Sequence, residues 1–151
     1  MAFERRLPHE TDRARAAVKL TIEVPYGDID AMGHLNNVAY LRYLEWARQK
    51  YWLAMRGSVD FWEIDFVVAR AEIDYRSAAH MGELLELEIR VSRLGRSSFD
   101  FSYRLTGADG RLVSEAKTTQ VCYDWSARAS KPLSAERRAE IERFEAQFAQ
   151  R

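Results

Sequence analysis

The fold of this 151-residue chain is decided by residues 36–57, which read NNVAYLRYLEWARQKYWLAMRG. Apolar residues recur there at spacings of three and four, which predicts a helix of about four turns. Asn36 or Asn37 is the natural N-cap, and Gly57 is a plausible stop. Aromatic and aliphatic side chains cover most of the circumference, so we expect this helix to be buried on more than one side.

The segments on either side of the helix alternate apolar and polar residues, as half-buried strands do. A short turn such as Asp109-Gly110 joins two strands and predicts antiparallel pairing. A final helix follows Ser134, which caps it. The strands have these apolar positions: Val18, Leu20, Ile22, Val24 and Tyr26; Val67, Ala69, Ala71, Ile73 and Tyr75; Leu85, Leu87, Ile89 and Val91; Phe99, Phe101, Tyr103 and Leu105; and a weaker pattern over 111–125.

This order of elements predicts an α+β fold, in which an antiparallel sheet of about five strands wraps around one long buried helix and an extra helix ends the chain. We assign residues 17–151 to a single domain. We expect residues 1–16, which are rich in charge and lack periodicity, to form a flexible N-terminal arm. One helix cannot cover a five-stranded face, so we expect a second copy to bury an uncovered face or edge strand.

Composition excludes several classes of function. Lys+Arg and Asp+Glu both number 23, and this zero balance argues against a protein that coats nucleic acid. The single cysteine, Cys122, rules out an internal disulfide and CxxC metal sites. No apolar run approaches the ~20 residues that cross a bilayer, and the N-terminus does not resemble a signal peptide. We therefore expect a cytoplasmic protein with no nucleic-acid or membrane partner.

The segment that carries chemistry lies between the first strand and the long helix, where residues 26–37 read YGDIDAMGHLNN. Asp30 offers a carboxylate, and His34 offers an imidazole that titrates near neutrality. The helix start offers free backbone N–H groups and the positive end of the helix dipole. Together these groups can activate a water or nucleophile and hold a developing oxyanion.

Other interpretations of this loop compete with a catalytic one. A calcium loop is excluded because two ligand positions would be Met32 and Ala39, which cannot coordinate a hard cation. A transition-metal site built from Asp28, Asp30 and His34 has thin support, and we predict no metal. A phosphoaspartyl site would need a parallel α/β chain. The plainest alternative is that the aspartates form turns and the asparagines cap the helix.

Residues 27–40, GDIDAMGHLNNVAY, and 43–48, YLEWAR, resemble the signature of hotdog-fold acyl-CoA thioesterases of the 4-hydroxybenzoyl-CoA thioesterase type. Residues 72–83 and 93–99 also look like later strands of that family. The resemblance implies hydrolysis of an acyl-CoA thioester to a free acid and CoA. It also implies no cofactor beyond the CoA of the substrate, and a homodimer or homotetramer with its site at the subunit interface.

The same resemblance assigns roles to single residues. Asp30 matches the catalytic acid, as nucleophile or general base, and the backbone N–H of Asn37 matches the group that polarises the carbonyl. His34 either orients water or anchors the loop. Tyr26 and Gly33 are assigned to substrate binding.

A second set of residues lies later in the chain. Arg93 and Arg96 flank a glycine turn before Ser98, and in family members a basic loop here meets the CoA phosphates, which suit guanidinium groups. A solvated hairpin turn is the alternative. Three aromatic residues either line the acyl pocket or pack in the core: Phe61, Trp62 and Phe66.

Two other functions stay open on the same fold. One is a non-catalytic acyl-CoA-binding or ligand-sensing protein, which would not need the carboxylate of Asp30 beside the helix start. The other is a dehydratase, which would prefer a histidine paired with an acid across the interface. Asp28, the first acid of the Asp-x-Asp segment, is interpreted as structural.

Overall fold

A computed structural model describes residues 18–58, 60 and 63–149. The predicted arm and the pocket residues Phe61 and Trp62 lie outside the described residues. The elements are β1 (Val18–Glu23), a short 3₁₀ helix (Tyr26–Asp28), α1 (Asn37–Arg56), β2 (Phe66–Tyr75), β3 (Leu84–Leu94), β4 (Ser98–Gly107), β5 (Leu112–Asp124), β6 (Ala129–Ser130) and α2 (Ala135–Ala149).

The strands form one antiparallel sheet in the order β1-β3-β4-β5-β2, and the short β6 pairs with the end of β5. The predicted architecture is confirmed: an antiparallel sheet, one long helix packed on it and a C-terminal helix. The sequence missed β6, because two residues give no periodic signal. β2 does not pair with β3, its neighbour along the chain, but with β5 at the far side of the sheet. In the part of the chain that the structure describes, β1 and β2 are therefore the edge strands.

The helix α1 begins and ends where the sequence predicts. The side chain of Asn36 accepts a hydrogen bond from the N–H of Val38 at 3.1 Å, and Gly57 adopts a left-handed conformation at φ 75°. With 20 residues the helix is longer than the expected four turns. The sequence also predicts burial on more than one side. The helix buries one broad face against the sheet, and Tyr51 in its C-terminal half also contacts Phe144 of α2, whereas Val38 and Leu41 are exposed.

A bulge in β2 just after Val68 corrects the predicted alternation of that strand. The sequence pattern placed Val67 on the inward face. In the structure, Phe66 and Val68 lie opposite Cys122 and Gln120, which are buried residues on the helix side of β5. An inserted residue reverses the faces of the residues that precede it, and an unbroken period-2 pattern does not reveal it.

The sheet face that points away from α1 carries charged side chains, so it does not need another element packed on it. Exposed ion pairs of this kind contribute little stability individually, but they keep the face compatible with water. Cross-strand examples are Lys19–Glu86 at 2.8 Å, Arg104–Glu115 at 3.0 Å and Lys117–Glu72 at 3.0 Å.

The C-terminal helix α2 begins as predicted, since the hydroxyl of Ser134 accepts a hydrogen bond from the N–H of Arg137 at 3.1 Å. Its Glu145 accepts hydrogen bonds from Tyr51 in α1 and from the backbone N–H of Val91 in β3, both at 2.7 Å. α2 therefore ties the C-terminal half of α1 to the sheet. No helix in the described ranges combines the length and apolar character that a bilayer crossing requires.

Candidate active site

The loop between β1 and α1 folds back on itself like a small hairpin. The N–H of Asp30 donates to the carbonyl of His34 at 2.9 Å, and the N–H of Asn36 donates to the carbonyl of Asp28 at 2.8 Å. Gly33, at φ 80°, makes the return turn in a conformation that favours glycine. This path brings Asp30 alongside the segment that enters α1.

Asp28 anchors the loop to the helix. Its carboxylate is 8% exposed, and it accepts a hydrogen bond from the hydroxyl of Tyr43 at 2.6 Å and one from the guanidinium of Arg42. Burial raises the pKa of Asp28, but the hydrogen bonds from Tyr43 and Arg42 outweigh burial and hold this pKa below its usual value. The acid is therefore charged, enclosed and not available to a ligand.

Asp30, two residues later, has a different environment. One carboxylate oxygen, Oδ1, accepts hydrogen bonds from the N–H groups of Met32 at 2.9 Å and His34 at 3.3 Å. The other oxygen, Oδ2, has no hydrogen bond to any residue that the structure describes, and the residue is only partly buried. One oxygen thus fixes the orientation of the carboxylate, while the other can meet water or a ligand.

The start of α1, seven residues after Asp30, supplies a hydrogen-bond donor. Asn36 caps the N–H of Val38, whereas the N–H of Asn37 finds no acceptor within the described ranges. The carbonyl of Asn37 accepts a hydrogen bond from the hydroxyl of Tyr75 at 3.2 Å. Sequence reasoning did not identify Tyr75 as a site residue. Its position depends on where β2 passes the helix start, for which a single sequence holds no signal.

His34 lies at the turn with both of its backbone groups bonded to Asp30. Its ring meets the ring of His80 edge to face, with centroids 5.3 Å apart. Nδ1 of His80 is 3.8 Å from a carboxylate oxygen of Glu83. Sequence reasoning did not identify His80 as a site residue, because nothing in the order of residues indicates that the 76–83 connection reaches this loop.

Several apolar side chains around the loop are exposed. Tyr26, assigned to substrate binding, is 81% exposed at the rim. Gly33 contributes through its backbone conformation, and a Cβ there would meet no atom within 4 Å. The other exposed apolar residues at this rim are Met32, Met81 and Leu84.

The predicted phosphate-binding residues lie at the opposite end of the sheet. β3 begins beside the active-site loop and reaches Arg93 only near its far end, ~30 Å away for a strand of this length. The guanidinium of Arg93 bonds both oxygens of Asp100 at 2.7 and 2.9 Å and also the hydroxyl of Ser98 at 3.0 Å. Arg96 is exposed. Within one chain, therefore, these three residues do not meet Asp30.

The charge of Arg93 is neutralised where it lies. Burial raises the pKa of Asp100, but the hydrogen bond and charge of Arg93 hold this pKa below its usual value. Of the two guanidinium groups, that of Arg96 is therefore the more available to a phosphate. No three His, Cys, Asp or Glu side chains converge within residues 18–58, 60 and 63–149, so this part of the chain does not offer a donor set for a metal ion.

Comparison with known proteins gives consistent matches over most of the chain. The model of the family described as Thioesterase-like superfamily matches residues 24–146. The chain is 32% identical over 122 residues to the long-chain acyl-CoA thioesterase FadM of Escherichia coli (strain K12), which covers 77% of this chain and 90% of that protein. It is 26% identical over 132 residues to the acyl-CoA thioester hydrolase YbgC of Escherichia coli O6:H1, covering 85% and 93%.

Among solved structures, a thioesterase from Thermus thermophilus complexed with coenzyme A and Zn superposes with a TM-score of 0.78. It is 30% identical, and the match covers 87% of this chain and 96% of that one. The family match begins at Val24, so it includes the whole active-site loop, α1 and strands β2 to β5.

Proposed function

Because the chain belongs to the Thioesterase-like superfamily, we propose that it is an acyl-CoA thioesterase, which hydrolyses a thioester to a free acid and CoA. One arrangement carries this proposal: the loop that leads directly into α1 orients the carboxylate of Asp30 through Oδ1, and neither Oδ2 of Asp30 nor the N–H of Asn37 has a hydrogen bond to any described residue. The relatives support it, since two are acyl-CoA thioester hydrolases and one structure was obtained with coenzyme A.

In this reaction, Asn37 polarises the carbonyl. Its N–H donates to the thioester oxygen, and the positive end of the α1 dipole stabilises the negative charge that develops there. The donor belongs to a capped helix, so it is oriented before the substrate arrives. The carbonyl carbon then becomes more electrophilic without any reorganisation of the protein.

Asp30 supplies the nucleophile by one of two routes. As general base, Oδ2 takes a proton from water while the water oxygen attacks the carbonyl carbon, and the C–S bond breaks to release the CoA thiolate. As nucleophile, Oδ2 attacks the carbon itself and expels the thiolate, and water then hydrolyses the resulting anhydride. Either route consumes one water and yields a carboxylic acid and CoA.

The complete site is proposed to require a second copy of the chain. β2 is a ten-residue edge strand, and its inward-facing Val68 is 46% exposed. Antiparallel pairing of two β2 strands about a two-fold axis sets the Tyr75 end of one copy against the Phe66 end of the other. The N–H of Cys122, which lies opposite Phe66, donates a hydrogen bond to the carbonyl of Ser97, so the Arg96 loop lies at the Phe66 end of its own chain. This pairing therefore brings the Arg96 loop of the second copy toward Asp30 of the first.

A homodimer of this kind would unite the two sets of predicted site residues that one chain keeps apart. A homotetramer built from two such dimers is the alternative assembly. The cytoplasmic location stays part of the proposal.

The test is thiol release from a panel of acyl-CoAs by the wild type and Asp30→Asn. Asparagine keeps an Oδ1 acceptor for the N–H groups of Met32 and His34, so the loop should persist. Loss of the carboxylate should lower kcat by about 10²- to 10⁴-fold. Asp109→Asn is the matched control, because Oδ1 of Asp109 accepts the N–H of Arg111 at 3.0 Å in a similar turn that lies outside the active-site loop, between β4 and β5.

Hydrolysis by Asp30→Asn at the wild-type rate would remove Asp30 from the mechanism. If the wild type binds acyl-CoAs but releases no thiol from any of them, the protein is a binding module and not an enzyme.

A further inference from the structure

We propose that Arg48 recognises the distal end of the acyl group, so that the preferred substrates are acyl-CoAs whose chain ends in a carboxylate. This inference rests on the proposed function and names its substrate class. Arg48 was not among the site residues that the sequence suggested.

Arg48 belongs to a polar cluster inside the apolar layer between α1 and the sheet. Its Nη1 donates to the hydroxyl of Tyr103 at 3.2 Å, and that hydroxyl is 2.8 Å from Oγ1 of Thr118. The side-chain amide of Gln120 lies 2.6 Å from the same Oγ1. Tyr103, Thr118 and Gln120 are buried among leucine, valine and phenylalanine side chains of β3, β4 and β5.

The guanidinium of Arg48 has donors to spare and no acid beside it among the described residues. Of the three arginines of α1, Arg42 pairs with Asp28 and Arg56 pairs with Glu63 and Glu140. Arg48 has no carboxylate within 4.0 Å in the part of the chain that the structure describes. Its described partner is the phenol of Tyr103. Burial raises the pKa of that phenol, which therefore stays neutral and provides no counter-charge.

A half-buried cation without a counter-charge is costly to the folded chain, and a carboxylate from a ligand would remove this cost. Guanidinium also matches a carboxylate in geometry, because two of its N–H groups can bond the two oxygens at once. The neutral groups of Tyr103 and Thr118 would complete the hydrogen bonding. This combination favours an anionic acyl end over a hydrocarbon end.

The approach to Arg48 runs between α1 and β2. Tyr40, Arg48 and Trp52 lie on the stripe of α1 that faces this edge strand. At one end the ring of Tyr40 contacts Tyr75, with centroids 4.9 Å apart, and at the other the ring of Trp52 contacts Phe66 at 5.3 Å. Arg48 lies between these two contacts.

Between the same contacts, the inner face of β2 carries Ile73, which packs against the core, and then only the smaller side chains of Val68 and Ala71. Both are exposed, although their register places them opposite the buried residues Gln120 and Thr118 on the inner face of β5. α1 packs most closely on β1 and β3 rather than on β2. The inner face of the sheet is therefore open along β2 at the level of Arg48.

The distance between the N–H of Asn37 and the guanidinium of Arg48 sets the length of the acyl group. From Asn37 to Arg48 the helix advances eleven residues, or ~16 Å along its axis. The side chain leans back toward the helix start, which leaves on the order of 10 Å between the carbonyl and the guanidinium. Extended chains advance ~1.2 Å per bond, so about eight bonds span this gap.

A small cavity of about 10 Å³ already lies on this path, lined by Tyr40, Leu44, Ile73 and Tyr103 among others. Its volume suits one water molecule, so an acyl chain would have to displace the Tyr40 and Tyr75 rings or the β2 edge. An eight-carbon diacid chain fits the required length and places its free carboxylate at Arg48.

The test compares octanoyl-CoA with suberoyl-CoA, which has the same length and an added terminal carboxylate. We expect the wild type to favour suberoyl-CoA in kcat/KM by about tenfold or more. Arg48→Met should lower kcat/KM for suberoyl-CoA by about 10- to 100-fold, the usual loss for a charged hydrogen bond, and change octanoyl-CoA by less than about threefold. Arg48→Lys should recover part of the preference. Arg104→Met, on the outer face of the sheet, should leave the ratio unchanged.

An unchanged substrate ratio in folded Arg48→Met would overturn the inference, and so would a wild-type preference for octanoyl-CoA. Binding of free suberate and octanoate, measured by calorimetry, separates this failure from a failure of the proposed function. If the wild type hydrolyses neither thioester, the proposed function fails, and Arg48-dependent binding of suberate over octanoate then decides the inference alone. If Arg48→Met does not fold, the wild-type ratio and Arg48→Lys decide it.

Discussion

Replacing Tyr43 by Phe removes one hydroxyl group and tests whether Asp28 anchors the active-site loop. That hydroxyl donates to Oδ2 of Asp28 at 2.6 Å, and both residues are buried. The ring itself should stay in place, because it stacks on Trp46 with centroids 5.3 Å apart. The variant therefore deletes a hydrogen bond to a buried charge and little else.

The expected cost follows from the charge of the acceptor. A hydrogen bond to a charged group contributes ~1.5–3 kcal/mol, and Arg42 still pairs with the carboxylate in the variant. We therefore expect Tyr43→Phe to lower the free energy of unfolding by about 2 kcal/mol. For a domain of this size, that corresponds to a drop in melting temperature of about 4–8 °C.

The pH dependence gives a second readout. Since the pKa of Asp28 is lowered by folding, the stability it contributes is present above its unfolded pKa of 3.8 and is lost as pH falls through the folded pKa. Without Tyr43, the folded pKa rises, so the variant should lose stability at a higher pH during acidification. The difference between wild type and variant should be largest at neutral pH and shrink below about pH 4.

Thermal denaturation of Tyr43→Phe and Tyr40→Phe at several pH values checks this reasoning. Tyr40 lies on the same helix, is similarly buried and makes no hydrogen bond through its hydroxyl within the described ranges. Its variant should be close to neutral. Equal melting temperatures for the two variants at pH 7 would refute the idea that Asp28 is held by Tyr43.

Two further predictions concern other parts of the fold. Glu145→Gln should raise the melting temperature by a few degrees at pH 8, with no gain near pH 4. Burial raises the pKa of Glu145, so the carboxylate that forms as pH rises is less stable in the folded chain than in the unfolded one. Glutamine keeps an acceptor for Tyr51, so a less stable variant at pH 8 in thermal melts would contradict the assignment. Val68→Arg should convert a dimer to a monomer in sedimentation experiments, because charge on an edge opposes strand pairing, whereas Val18→Arg on the other edge strand should not. A dimeric Val68→Arg variant would place the interface elsewhere.

Much of the fold could be predicted because local signals agree with one another. The polar cap at Asn36, the apolar period and the stop at Gly57 specify α1 independently of the rest of the chain. Strands β3 to β5 follow from alternation and short turns. The position of β2 could not be predicted, because its pairing with β5 depends on how residues 76–83 cross the sheet.

The candidate site was only partly accessible from the sequence, for a similar reason. Asp30, His34 and Asn37 lie within eight residues of one another, so a local pattern can bring them together. Tyr75 and His80 reach the loop from a distant segment, and a single sequence does not encode that contact in any spacing. Arg48 has the helical periodicity of a core residue, and only the structure reveals that its acid partner is missing from the described residues.

Two groups of α1 lack a partner among the described residues and have a common explanation in ligand binding. Within those residues, the N–H of Asn37 has no acceptor at the helix start, and the guanidinium of Arg48 has no counter-charge eleven residues later. By contrast, Asn36 accepts the N–H of Val38, and Asp28 pairs with Arg42 of the same helix. An acyl chain of about eight bonds would satisfy both, its carbonyl oxygen accepting from Asn37 and its terminal carboxylate accepting from Arg48. The distance between the two groups along one helix face then corresponds to the length of the substrate. A purely structural role for either group would not explain this distance.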